Sequence, residues 1–364
     1  MSTWTSISSP DVTASAESGR RRSLLPPGAL GELGSAIDRL VAARGQAKAA
    51  TDRVAPARPT LVVFAADHGI AFAEVTAYPP GTTAQRITDL AAGTGPIARL
   101  AADAAVTVRT VDIAVRGDLA GSAVDVTHRV RTACGRIDMQ DALREDELDQ
   151  CLSAGIAMAD AEVDGGADLL IGAVCGAAVS TPAAALLSAL TGMEPALATT
   201  RGSGIDDEGW INKCAAVRDA RFRARSSLGD ARALLRIAGG PDLAALTGFI
   251  AQAAVRRTPV LVDDVPSLVC AVLAHRLAPG AENYVTVADT SADRTQARVQ
   301  QLLGLTPLAD HRLTLGSGAG ALLAVPALRA ALRLLDEAAA TEQAGEPGTE
   351  RTERAIDAWD AELL

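Results

Sequence analysis

Asp67-His68-Gly69 follows directly on a short apolar run at residues 60–66. A continuous apolar run bounded by Pro59 and Asp67 reads as a strand buried on both faces. In open α/β sheets, functional groups collect beyond the carboxyl ends of such strands. A carboxylate and an imidazole placed there can hold or move a proton; as structural groups they would close the strand end. The second candidate is the glycine-rich stretch His311-Arg-Leu-Thr-Leu-Gly-Ser-Gly-Ala-Gly320. A glycine turn at a helix start aims backbone N–H groups at an anion. It does not read as a dinucleotide fingerprint, because no further βαβ unit with an acidic residue follows it. The sequence carries no P-loop, GxSxG or HExxH signature. Asp138, Asp141, Glu145, Asp146 and Glu147 cluster, and read as a solvated helix face.

The elements that must position these groups alternate. Further strand candidates lie at 105–113, 167–171, 259–262 and 283–287, with Ala/Leu-rich helical stretches between them, such as 146–162 and 182–190. That alternation predicts the α/β class, with a Rossmann-like, doubly wound parallel sheet in one domain over 26–340. Leu33, Ile37, Leu40 and Val41 predict a helix within 28–49, and 326–340 shows helical spacing too. These terminal helices are expected to form a small helical subdomain beside the sheet. Residues 1–25, polar and carrying Arg20-Arg21-Arg22, are expected to be a disordered arm, and 341–364 an acidic linker with a short C-terminal helix.

Composition narrows the function classes. The chain has 364 residues, 48% hydrophobic and 21% charged, so it is long enough for one large α/β domain. Aromatics are 2%, so Ala, Leu, Val and Gly must fill the core. A net charge of −10 argues against a nucleic-acid partner, which needs a basic footprint. No apolar run reaches the length of a membrane span, and the N-terminus lacks a secretory apolar segment, so a cytoplasmic protein is expected. Five cysteines without a CxxC pair read as buried reduced thiols, and four histidines without HxH or HxxxH spacing argue against a metal site.

Four segments carry more. They are Phe64-Ala-Ala-Asp-His-Gly-Ile70, continuing through Thr76-Ala-Tyr-Pro79 and Thr83-Ala-Gln85; Gly135-Arg-Ile-Asp-Met139; Arg201-Gly-Ser-Gly-Ile-Asp206-Asp-Glu-Gly209 with Lys213; and residues 253–263. In this order they resemble the nicotinate-nucleotide–dimethylbenzimidazole phosphoribosyltransferase family, over roughly residues 28–338. The resemblance implies transfer of phosphoribose from nicotinate mononucleotide to dimethylbenzimidazole or a related base. The product would be α-ribazole phosphate, for cobalamin biosynthesis. The partners implied are a small nucleotide, an aromatic base and a second subunit, as a homodimer or as a heterodimer with another family member; no cofactor and no metal are implied. Substrate contacts are implied at Asp67, His68, Thr76, Tyr78 and Gln85; at Gly176, Ser180 and Thr181 on a phosphate loop; at Gly202, Ser203, Gly204, Asp206 and Lys213; and at Gly316 and Gly318 in the glycine turn.

The same resemblance marks departures. Leu315 stands where the family has its catalytic glutamate, and a leucine accepts no proton at any pH. Val174 replaces an acidic residue after the third strand. Ala178 and Val179 replace the second glycine and the asparagine of the phosphate loop, which is expected to weaken phosphate binding. Asp289 and Thr290 replace a histidine and an arginine, an exchange expected to reverse charge facing an anionic ligand. The catalytic residue is therefore unassigned, with Asp289 and Asp293 as candidates for a relocated base. The alternative is a catalytically inactive paralogue that binds a base or nucleotide, or that serves as regulatory subunit of an intact family member.

Overall fold

The computed structural model describes residues 4, 7–45 and 56–343. Five strands form one parallel sheet: β1 (Pro59–Ala66), β2 (Thr107–Ala114), β3 (Leu169–Cys175), β4 (Val260–Val262) and β5 (Val285–Val287). Their spatial order is β2-β1-β3-β4-β5. Every strand predicted from an apolar run is present, each within a few residues of its expected place. β1 and β3 pair over seven residues from Pro59–Leu169 to Ala65–Cys175 and are buried along their whole length, as central parallel strands must be.

Helices cover both faces. In chain order they are α1 (Val12–Arg22), α2 (Glu32–Arg44), α3 (Thr82–Ala91), α4 (Gly95–Asp103), α5 (Glu145–Asp164), α6 (Ser180–Thr191), α7 (Pro195–Ala198), α8 (Asp207–Ala224), α9 (Ala231–Ala238), α10 (Pro241–Val255), α11 (Val265–Leu277), α12 (Gln296–Leu303) and α13 (Ala319–Gln343). Alternate residues of β1 feed two cores. Val62 and Phe64 pack with α5, α10 and α11, while Leu61, Val63 and Ala65 pack with α2, α3, α4 and α13. Both cores consist almost wholly of Ala, Leu, Val and Ile, the composition that 2% aromatics require. Phe64 and Phe249 meet edge to face at 5.5 Å in the first.

α1, α2 and α13 pack on one another, giving the terminal helical group expected from the sequence. The disordered-arm expectation for 1–25 is corrected over Val12–Arg22, which form α1. Asp11 caps α1 by accepting from Thr13 N and Ala14 N, Ala14 is buried, and Ser18 donates to Asp38 of α2. The arginines at 20–22 are also held: Arg20 and Arg21 pair with Glu17, and Arg22 with Asp38. Composition marked this segment as polar, and long-range partners order it. α13 continues to Gln343, past the predicted end at 340; the remainder of the expected linker and C-terminal helix lies outside the described residues. The acidic cluster is not simply solvated. Asp141 pairs with Arg223 and Arg236, and Glu147 is buried against Arg131 and Arg144.

Candidate active site

The chain leaves β1 toward β2 on one side and returns from β2 to β3 on the other, so the order reverses between β1 and β3. Ligands bind at such a switch point, beyond the carboxyl ends of the strands. A cleft of about 1030 Å³ opens there. Thr76 and Tyr78 line it after β1, Gly176, Ala178, Val179 and Ser180 after β3, and Asp264 after β4. Asp293 lines it after β5, Leu315 and Gly316 come from the glycine turn, and Gly202 and Ser203 close the far wall.

The loop after β3 is fixed from behind. A Cβ at Gly176 would lie 2.3 Å from Ala66 O and 3.3 Å from the His68 ring, so only glycine fits. Ala177 N donates to Thr83 Oγ1 (2.9 Å), which in turn donates to Asp67 Oδ1 (2.7 Å). Asp67 Oδ2 accepts from Arg116 N (2.7 Å). His68 is buried, with Nε2 3.1 Å from Asp242 Oδ2 and Nδ1 3.5 Å from Cys134 Sγ. Burial alone would lower its pKa, but Asp242 and Cys134 outweigh that and hold it well above the ordinary value. Asp67 and His68 do not line the cleft. They brace the loop that does.

Ala178 has φ 68°, in the left-handed region. The loop keeps a glycine-like conformation with an alanine in it, at a cost of about 1 kcal/mol. Ala178→Gly is therefore expected to stabilise the protein by up to about 1 kcal/mol, read by urea denaturation. A loss of stability would show that the methyl group packs usefully, buried as it is.

Lys213 of α8 is 1% exposed. Its Nζ donates to Ser180 Oγ and Thr200 O, both at 2.9 Å. An ammonium has three protons, and these two bonds engage two of them. Burial pushes the Lys213 pKa down to about 8, with nearby Asp293 opposing the fall. The residue is thus a buried cation behind the loop, not the solvated lysine usual on a helix. Gly202 (φ 53°) makes room for it: a Cβ there would come within 2.8 Å of Ser180 Oγ and 3.0 Å of Lys213 Nζ. Ser203 Oγ accepts from Ala77 N (2.8 Å) and sits 3.2 Å from Thr76 Oγ1, tying the two walls together.

Other predicted contacts lie elsewhere. Gln85 is exposed and donates to Asp89; its neighbour Arg86 lines the cleft instead, its guanidinium 4.1 Å from the centre of the Tyr78 ring. One residue along a helix turns a side chain by about 100°, which the local motif did not reveal. Thr181 is buried one position deeper than Ser180. Asp206 caps α8 by accepting from Gly209 N (2.9 Å). Gly204 does not line the cleft, and Gly318 packs on Leu61 and Ile171 of the sheet. Asp289 turns inward, accepting from His311 N and lying 3.0 Å from His311 Nδ1, so the expected charge reversal does not face the cleft. Asp293 does face it, but Thr295 N and Oγ1 hold its Oδ1 and Thr200 Oγ1 its Oδ2.

Asp264 escaped the sequence reading, which ended its segment at Asp263. The available signal was its position, just beyond the strand end. It caps α11, with Oδ1 accepting from Ser267 N (2.9 Å) and Ser267 Oγ (2.6 Å). Among the described residues there is no group of three or more His, Cys, Asp or Glu side chains placed to hold a metal ion.

A cleft at the switch point, lined by Tyr78 and by a glycine-containing loop with a buried ammonium behind it, defines the class: an α/β protein with a binding cleft beyond the carboxyl ends of its parallel strands. A family model described as phosphoribosyltransferase matches residues 7–345. The nicotinate-nucleotide–dimethylbenzimidazole phosphoribosyltransferase of Mycolicibacterium paratuberculosis is 46% identical over 344 residues, covering 94% of this chain and 97% of that one. The crystal structure of CobT from Thermus thermophilus superposes with a TM-score of 0.82 at 33% identity, covering 89% of this chain and 96% of that one. A second structure from that organism, of the phosphoribosyltransferase under its full name, gives 0.81 at 31% identity, with coverages of 90% and 96%. The chain belongs to the nicotinate-nucleotide–dimethylbenzimidazole phosphoribosyltransferase family.

Proposed function

We propose that this chain transfers phosphoribose from nicotinate mononucleotide to dimethylbenzimidazole or a related aromatic base, giving α-ribazole phosphate in cobalamin biosynthesis. The observation that carries the reading is the Lys213 ammonium held against Ser180 behind the loop at 176–180. It supplies a desolvated cation and backbone N–H groups for the phosphate. Tyr78, backed by Arg86, offers a flat face for the ring. Relatives of that name at 43–46% identity support the same substrates.

Leaving of nicotinate builds positive charge at the anomeric carbon. This chain's part is to hold the phosphate at one end of the cleft and the acceptor at the other, so that the ring nitrogen meets that carbon. Asp293, fixed by Thr200 and Thr295, adds negative charge to the same cleft.

We further take the working unit to be a cytoplasmic dimer. Leu197, Ile211 and Phe222 are exposed on α7 and α8, an apolar face suited to a second copy. No helix among the described residues is long and apolar enough to cross a membrane. The test is purified protein incubated with nicotinate mononucleotide and dimethylbenzimidazole, with products resolved by chromatography. α-Ribazole phosphate above a no-protein control is expected. No product, with calorimetric binding of either ligand intact, would sink the transfer reading in favour of an inactive binding paralogue, the outcome that Leu315 in the cleft would then explain.

A further inference from the structure

Three carboxylates line the cleft among the described residues: Asp207, Asp264 and Asp293. Asp207 is exposed and paired with Arg201. Both oxygens of Asp293 are occupied. Asp264 differs from both. Its Oδ1 is committed to the cap of α11, which fixes the rotamer, while its Oδ2 accepts no hydrogen bond from the described residues. That open oxygen lies 3.7 Å from where a Cβ on Gly316 would stand, beside Leu315.

We propose that Asp264 is the catalytic base of this chain, its Oδ2 taking the ring N–H proton of the acceptor across the space beside Leu315. The inference rests on the transfer reading above. The lone pair of one acceptor nitrogen forms the new bond to the anomeric carbon. The bond from that carbon to the pyridinium nitrogen breaks, and its electron pair neutralises the departing nicotinate ring. The proton on the acceptor's other nitrogen passes to Asp264 Oδ2 and from there to water. A side chain does this only from within hydrogen-bond reach, and a fixed rotamer with one open oxygen meets that condition.

Its surroundings suit the task. Asp263 and Asp289 lie behind it under the glycine turn, and Asp293 faces it from the segment after β5. Burial raises the Asp264 pKa above its ordinary value, the Ser267 hydrogen bonds oppose this, and Asp293 adds to it. A carboxylate poised in this way is a stronger proton acceptor than an exposed one.

The test is Asp264→Asn in the full chain. Asparagine caps helices as well as aspartate does, so α11 should keep its start and the melting temperature should stay close to the parent's. The parent is expected to turn over. The variant's kcat should fall roughly 100- to 10,000-fold with KM for nicotinate mononucleotide nearly unchanged, and the acidic limb of the kcat–pH profile should vanish. Leu315→Glu added to Asp264→Asn returns a carboxylate to the adjoining wall and should recover part of the lost rate. A parent that turns over alongside an equally active Asp264→Asn would overturn the base assignment and leave the transfer reading standing. A parent that makes no product would overturn both.

Discussion

Lys213→Met is expected to weaken nicotinate mononucleotide binding by roughly 10- to 100-fold, the loss of one charge-assisted contact to a phosphate. It is expected to leave the free protein nearly as stable as before. The two effects separate because the lysine is a liability in the empty protein. Its pKa of about 8, against an ordinary 10.5, means that keeping it charged at pH 7 costs the fold about 3 kcal/mol. Methionine fills similar space without that cost, and loses the bonds to Ser180 and Thr200 in exchange. The pH dependence gives a second signature. Between about 8 and the ordinary lysine value the unfolded chain holds a proton that the folded chain has released, so parent stability rises with pH over that window. In Lys213→Met that rise disappears. Parent affinity for the nucleotide should conversely begin to fall as pH climbs past about 8, since the free protein then loses the charge that binds phosphate. Calorimetry and urea denaturation, each from about pH 7 to about pH 9.5, read both. Unchanged affinity in the variant would remove Lys213 from the phosphate site.

Asp242→Asn is expected to cost about 3–5 kcal/mol of stability, the usual effect of removing one member of a buried ion pair. Asp242 and His68 are both fully enclosed, and Gly176 and Gly240 pack directly on the imidazole. The asparagine would leave a charged imidazole without its counter-charge behind the phosphate loop. The sign with pH follows from the raised His68 pKa. A histidine whose folded pKa lies above its unfolded value contributes stability that is complete below about 6.5 and decays as pH rises through the folded value. The gap between parent and Asp242→Asn should therefore be larger at about pH 6 than at about pH 9. A gap that stays constant would mean that His68 is neutral in the fold and that the pair is held by an ordinary hydrogen bond.

Membership of the family, the parallel sheet and all five strands were legible in the sequence, because each strand is a short apolar run buried on both faces and such runs announce themselves. The cleft itself was half legible. Lys213, Ser180, Gly202 and Ser203 were marked by their motifs; the structure has Ser180, Gly202 and Ser203 lining the cleft, with Lys213 bonded to Ser180 behind them. Asp67 and His68 were marked equally clearly, yet they stand behind that wall, since a strand-end motif says where the backbone stops and not which way its side chains turn. Gln85 and Arg86 show the same limit on a helix, where adjacent residues face different surroundings.

Sequence position likewise made Asp289 and Asp293 the candidates for a relocated base. The structure shows each of them engaged: Asp289 is bound to His311 inside the protein, and Asp293 has both oxygens accepting hydrogen bonds. Asp264, unremarked in the chain, is the carboxylate with an open oxygen beside Leu315. The sequence by itself determined the family and the alternation of strands and helices, both local matters of residue type and order. Which carboxylate stands beside Leu315 was decided by the tertiary structure, because that depends on segments distant in the chain, the end of β4 and the glycine turn at 316, meeting across one edge of a folded sheet.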